Sequence, residues 1–446
     1  MTAKYATIQP HTGHNDWLSP DELKQLTPEK LLDRVKGIKG LIAVHAMECE
    51  RLRHPVDSVM QAIRKTGVFY HFVPKKYGGL EYDLLNFIDV GLAIAEGCAS
   101  TAWVTCFCIE HNFLAAQLPA QGQNEIFEAF PYTIAVGSAA PPASAVRVAG
   151  GFRVTGHLKY ASGVVHSDWM QLVASVKSES GAPSAHFMML PIQEVTVLDT
   201  WLVDGLAGTG SNDVVLDDVF VPAYRSVDFE ELRAGRGHGG ELYDNPLYRI
   251  PVDILLNVSS SIPAIGTALA TVAAFRERVI EKAPIGPEGK TVPKLTSQMR
   301  LAEAELAAHT AAMLLREAAR NTQEAVLAGR RLSNEERVKT RSRIAYAVDL
   351  ARRSVRIIFE GAGSSAHALS NPIQRAMRDV NMIASHAVYD RDTMLELWGK
   401  VLTGTASPEV FKHHSRGQVR EGMQRLAAAA DGDKSGAPVP DGRGVV

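Results

Sequence analysis

The period of the apolar positions changes twice along the chain. Leu31, Val35, Ile38 and Ile42 recur every three or four places, the spacing of a helix with one buried face. Ahead of them, Ser19-Pro20-Asp21-Glu22 combines a capping box with a proline at the first helical position, which marks a helix start. Helical spacing resumes over Val56–Lys65 and, after the turn Val73–Gly79, over Leu84–Ala95 and Thr101–Leu118, where Gly91 and Gly97 permit close approach of helices. Residues 1–130 are thus expected to form an N-terminal helical domain. From Tyr132–Gly137 strand-forming residues alternate, with Gly and Pro punctuation, to about Arg225. This predicts a central β domain over 131–226, a small barrel or sandwich. The polar, glycine-containing stretch 227–250 is expected to be a surface loop or lid.

Helical spacing then returns over 251–405. Ile254–Phe275 carries no charge and is long enough to cross a bilayer. Its Asn257, Ser259, Ser260, Ser261 and Pro263 fit better a helix buried all round inside a bundle. Leu295–Leu327 is rich in Ala, Glu and Leu, Ser333–Glu336 is a second capping box, and Gly361-Ala362-Gly363 is a stop. Ile373–Leu402 is expected as one last long helix, completing a C-terminal four-helix bundle. Residues 406–446 read as an extension with a disordered, polar, Gly/Pro-rich tail.

Composition narrows the function classes. In 446 residues, 46% hydrophobic and 22% charged, the balance is that of an ordinary soluble protein. A net charge of −2 argues against nucleic acid and anionic membranes as partners. Four cysteines (Cys49, Cys98, Cys106, Cys108) without a C-x-x-C pair read as buried thiols of a cytoplasmic protein, with no metal site expected. Met1–Pro10 lacks a signal-peptide layout. No G-x-G-x-x-G opens a βαβ unit, so direct binding of NAD(P)H is not expected.

The order helices, sheet, helices resembles the acyl-CoA dehydrogenase fold, an α+β architecture with an N-terminal helical domain, a central β-barrel or sandwich and a C-terminal four-helix bundle. Pro74-Lys75-Lys76-Tyr77-Gly78-Gly79, Leu206–Pro222 and Gln374–Asp379 look like that fold's motifs. Within it, Tyr160-Ala161-Ser162-Gly163, Asp168-Trp169 and Gly205-Leu206-Ala207-Gly208-Thr209-Gly210-Ser211 resemble the oxygenase components of two-component flavin monooxygenases, such as the 4-hydroxyphenylacetate hydroxylases. The likeness runs from roughly Leu18 to Gly404. Ala207 departs from it, because relatives often carry Arg there.

The resemblance implies a flavin-dependent monooxygenase. It would take reduced flavin (FMN or FAD) from a separate reductase, react it with dioxygen to a 4a-hydroperoxide, and hydroxylate a small aromatic or heteroaromatic substrate. A homotetramer built through the bundles is implied too. Ser162 is expected to give a hydrogen bond to the flavin nitrogen beside the reacting carbon, or else only to cap a turn. His386, near where dehydrogenases place their carboxylate, is expected to act as general base on a phenolic substrate or to hydrogen-bond the peroxide, and His111 stands where hydroxylases place a substrate-orienting histidine. Trp169 is expected against the flavin ring, while Gly208, Thr209 and Ser211 would hold its phosphate or ribitol. Arg276 or Arg278 would meet the nucleotide end across a subunit interface, with Arg249 a weaker candidate. The enzyme alternative is an acyl-CoA dehydrogenase-like dehydrogenase or oxidase, from which the missing base, Ile383–Tyr389 reading Ile-Ala-Ser-His-Ala-Val-Tyr, shifts weight away.

Overall fold

A computed structural model describes residues 5–11, 16–177, 183–281 and 294–406; the predicted disordered tail lies outside them. Helices α1 (Pro20–Lys24), α2 (Pro28–Val44), α3 (Ala46–Leu52), α4 (Asp57–Thr66), α5 (Leu84–Ala95), α6 (Ala99–Ala115) and α7 (Ala120–Phe127) come first. The Ser19–Glu22 capping box is formed in both directions, and the Asp83 side chain accepts from Asn86 N to start α5, so the local signals act where the sequence puts them.

The β domain is one eight-stranded sheet in the order β1-β6-β7-β3-β2-β4-β5-β8. Its strands are β1 (Thr7–Ile8), β2 (Ala135–Val148), β3 (Gly151–Ala161), β4 (Trp169–Val176), β5 (Ser184–Pro191), β6 (Thr196–Leu198), β7 (Asn212–Pro222) and β8 (Ser226–Asp228). β2 lies antiparallel to β3 and parallel to β4. The sheet curls around its own core of Val136, Phe152, Leu158, Leu172, Met188, Leu190, Val214 and Leu216.

The stretch expected as a loose loop or lid is folded. It holds α8 (Phe229–Arg233) and α9 (Gly239–Leu242), and the end of α6 anchors it through His238 N donating to Gln117 O at 3.2 Å. Next come α10 (Val252–Glu281), α11 (Leu295–Leu327) and α12 (Asn334–Gly361). The uncharged segment makes up most of α10 and is largely buried, each buried Leu, Ile or Val there contributing about 1.5–3 kcal/mol. Gly91 and Gly266 let α5 and α10 touch: a Cβ at Gly91 would sit 2.7 Å from Ile262 Cγ2, and one at Gly266 2.5 Å from Ala95 Cβ.

The helices before and after the sheet share one continuous core, running from Leu26 to Met394, because α10 packs against α5 and α6 as well as α11 and α12. One expectation needs correction. The last long helix is broken into α13 (Pro372–Ala384) and α14 (Arg391–Leu402). Asp390 caps α14 by accepting from Thr393 N at 3.2 Å, a signal that competes with continuing the apolar period. His386 lies in that break, outside any α-helix.

Candidate active site

The site is built at the seam between the two cores. β3 ends in a corner whose Tyr160 takes φ 67° and Gly163 φ 83°. Ser162 N donates to Tyr160 O at 2.8 Å and Gly163 N to Thr209 O at 2.8 Å, so the corner is locked to the turn Ala207–Thr209. That turn opens on a second left-handed residue, Leu206, at φ 52°. Left-handed backbone at non-glycine residues costs of order 1–3 kcal/mol each and persists where the surroundings over-determine it. Here it faces Ser162 toward Ser211 and α6.

Proton bookkeeping orders the hydroxyls. Thr209 Oγ1 donates to Leu206 O at 2.8 Å. Its one proton is thereby committed, so Ser211 Oγ, 2.6 Å away, donates to Thr209. Ser162 Oγ, at 2.7 Å, then donates to Ser211, and accepts Trp103 Nε1–H at 3.1 Å. Ser162, half-buried, therefore keeps one acceptor lone pair and no spare proton. In this arrangement the hydroxyl proton expected to face the flavin points to Ser211.

Trp103, Phe107 and His111 follow every fourth residue on α6 and line one face, with ring centroids 5.0 and 5.7 Å apart in turn. Trp103 also meets His386 at 5.8 Å. Ser162 and His386 thus share a wall, and His111 stands two turns along it, about 12 Å by helix rise. His111 Nδ1 lies 2.7 Å from Ala135 O. A carbonyl only accepts, so Nδ1 carries the proton and Nε2 a lone pair. A Cβ on Gly137 would stand 3.2 Å from that Nε2, so glycine keeps this face open. Burial lowers the His111 pKa to about 4, opposed by the bond to Ala135, and leaves the ring neutral near pH 7.

His386 has the opposite tautomer. Its Nδ1 accepts from Val388 N at 3.3 Å, which leaves the proton on Nε2. The residue keeps contact with solvent, and desolvation by the surrounding protein lowers its pKa to about 4. The break is pinned by Tyr389, whose hydroxyl donates to Asn257 O at 3.0 Å and contacts Ser260 Oγ. One turn along α6 from Phe107, Glu110 is buried and takes a hydrogen bond from Ser259; desolvation raises its pKa to about 8.

Asp379 accepts Leu206 N at 2.7 Å, tying α13 to the turn beneath Ser211; burial raises its pKa to about 7. The remaining predicted residues do not converge. Trp169 has Arg225 over its ring at 5.1 Å, and among the described residues no hydrogen bond or ring contact joins it to Ser162, Ser211 or His386. Thr209 N and Gly210 N donate to Leu206 O and Ala207 O at 3.0 and 3.4 Å, so these amides serve the turn itself and are spent. Gly208 packs on α3, where a Cβ would lie 2.4 Å from Cys49 Sγ. Arg278 caps α12 through Ala362 O at 2.7 Å. Arg276 is exposed, some 25 Å along α10 from the Tyr389 end by helix rise. Arg249 is exposed and donates to Gly240 O.

Trp103, Phe107, Glu110 and Tyr389 escaped the sequence reading. The four-residue spacing of Trp103, Phe107 and His111 was the signal available for three-ring alignment. A groove lined by Asn321, Arg330, Glu336, Lys339 and Arg343 lies at the α11–α12 turn and includes none of these groups. Its Arg330 and Arg343 are paired with Glu336 and Glu317, and we assign it no chemistry.

Comparison with known proteins bears on this geometry. The family profile "Acyl-CoA dehydrogenase, C-terminal domain" matches residues 258–391. The chain is 33% identical over 380 residues to a pigment production hydroxylase of Rhodococcus sp., covering 84% of this chain and 96% of the relative. It is 30% identical over 403 residues to the FADH(2)-dependent resorcinol hydroxylase, oxygenase component, of Rhizobium sp., covering 87% and 98%. Among solved structures, XiaF from Streptomyces sp. in complex with FADH2 and glycerol superposes with a TM-score of 0.79 at 29% identity, covering 87% and 98%. The HsaA monooxygenase of M. tuberculosis gives 0.81 at 26%, covering 86% and 100%.

Proposed function

Because the chain belongs to the family of oxygenase components of two-component flavin-dependent monooxygenases, built on the acyl-CoA dehydrogenase fold, we propose that the seam between Ser162, Trp103, His111 and His386 is where it hydroxylates an aromatic compound. Reduced flavin supplied by a separate reductase is its cofactor. The residues fit such a ring: Ser162 is half-buried with an uncommitted acceptor lone pair, and reduced flavin presents N–H donors. When bound, that group supplies the electrons that activate dioxygen for transfer of one oxygen atom.

The protein's own contribution is the placement of protons. Ser162, its hydroxyl turned to Ser211, accepts a ring N–H and holds that proton in place. Trp103 fixes Ser162 and walls the cleft. His111 Nε2, unprotonated, accepts the O–H of a phenolic substrate, while His386 Nε2–H donates to oxygen at the other end of the same wall. The carrying observation is this tautomer pair, set by Ala135 O on one ring and Val388 N on the other. Among the described residues, Asp379 accepts Leu206 N and Asp253 pairs with Arg337, so the two carboxylates weighed for dehydrogenation serve structural contacts.

Two further parts of the reading concern the whole protein. A homotetramer formed through the bundles is supported by Met299, Leu306 and Met313, seven apart on α11 and 72%, 66% and 70% exposed. Such an assembly would give Arg276 a neighbour's cofactor to meet. Four unpaired, buried thiols suit the cytoplasm.

The test mixes the protein with anaerobically reduced flavin, then oxygenated buffer and a panel of phenols. A product carrying one added oxygen is expected. Ser162→Ala should bind flavin yet release about tenfold more hydrogen peroxide per product, the worth of one hydrogen bond. Absence of any oxygenated product across the panel sinks the reading.

A further inference from the structure

Away from the cleft, three chain segments meet at a cluster of imidazoles and a carboxylate. The N-terminal arm, paired through β1 to β6, brings in His11, whose N donates to Val165 O at 2.6 Å. Asp57 is the first residue of α4. His166 ends the turn Val164–His166 that follows Ser162. His11 Nδ1 lies 3.3 Å and His166 Nδ1 3.8 Å from Asp57 Oδ1, and the three atoms all fall within 4.8 Å of one another. Tetrahedral zinc with bonds of about 2.0–2.1 Å needs ligand atoms about 3.4 Å apart.

The tautomer of the inner ligand is already set. His166 is 2% exposed, and its Nε2 lies 2.8 Å from Pro55 O. That carbonyl takes the Nε2 proton, so the lone pair is on Nδ1, facing Asp57 and His11. A backbone carbonyl orienting a histidine in this way is the usual second layer of a metal site. The same carbonyl takes His54 Nδ1–H at 2.9 Å, and the His54 ring stands 6.2 and 5.6 Å from those of His11 and His166. His11 and Asp57, 51% and 69% exposed, leave an open mouth for entry and a water ligand.

We propose that His11, Asp57 and His166 form a binding site for one divalent transition-metal ion of the zinc class, which clips the N-terminal arm to the turn behind Ser162. The ligand set, two imidazoles and a carboxylate with a remaining position for water, suits Zn2+ and its Co2+ substitute.

The full chain, stripped with chelator, is titrated with Zn2+ by calorimetry and with Co2+ by visible absorption, and its melting temperature is read with and without Zn2+. The expected result is one ion per chain, Co2+ ligand-field bands and a higher melting temperature. His11→Ala and Asp57→Asn, both at exposed side chains, should each weaken binding at least tenfold while leaving the metal-free melting temperature unchanged. His309→Ala, an exposed histidine on α11, should bind as the parent does. Failure to bind one ion per chain, or binding by His11→Ala and Asp57→Asn as tight as the parent's, overturns the proposal. The readouts are independent of flavin and of product.

Discussion

Where a proton is committed decides what a hydroxyl, imidazole or carboxyl can do at this seam. Ser162 is left as an acceptor because its own proton goes to Ser211, Ser211's to Thr209 and Thr209's to Leu206 O, and the two histidines differ because one meets a carbonyl and the other an amide. Glu110 extends the logic to pH. Desolvation raises its pKa from 4.5 to about 8, so between those values the folded protein keeps a proton that the unfolded chain releases. Its contribution to stability is full below about pH 4.5 and is lost as pH rises through 8. Glu110→Gln cannot titrate. The unfolding free energy of the parent relative to Glu110→Gln should therefore fall from pH 5 to 8, by at most about 1.4 kcal/mol per pH unit. Denaturant titrations at several pH values check this, and parallel curves would mean an ordinary carboxylate.

At the scale of elements, a few polar contacts hold the break between α13 and α14 and the turn Ala207–Thr209. Tyr389 ties the break to α10, while Asp379 ties the turn to α13. Asp379→Ala would leave Leu206 N buried without a partner, a loss of about 1–3 kcal/mol. Asp379→Asn, which still accepts, should recover most of it. Chemical denaturation measures both. The added readout is coupling of oxygen to product, which should drop in Asp379→Ala because Ser211, and through it Ser162, loses its footing. A stable Asp379→Ala with unchanged coupling would show the turn to be held by other contacts, such as those of Gly208 with α3. Much of this was legible beforehand: the capping boxes and the Tyr-Ala-Ser-Gly corner are local patterns. The helix break was not, because the apolar period continues through Ile383–Val388 while the cap at Asp390 and the grip of Asn257 and Ser260 on Tyr389 interrupt it.

For the whole molecule, the flanking helices share one core while the curled sheet keeps its own, and the candidate site lies at the seam between them. The exposed stripe on α11 belongs to this scale. If bundles associate through it, Leu306→Glu with Met313→Glu should shift the sedimentation coefficient from that of a tetramer to a smaller species. The Arg276 role would fail along with the assembly, appearing as weaker flavin binding without loss of fold. A parent chain that sediments as a monomer would refute the arrangement.

Local periodicity, caps, glycine placement and motif order settled the elements, their sequence in the chain and the family resemblance, since each depends on residues a few places apart. Packing alone decided the rest. It put Trp103 on Ser162 across 59 positions, chose opposite tautomers for His111 and His386, covered Trp169 with Arg225, and spent the amides of Thr209 and Gly210 within their own turn. It also gathered His11, Asp57 and His166 from three segments. Proton positions and metal-ligand geometry depend on contacts between distant parts of the chain, and no spacing along a sequence encodes the direction in which a hydrogen bond will point.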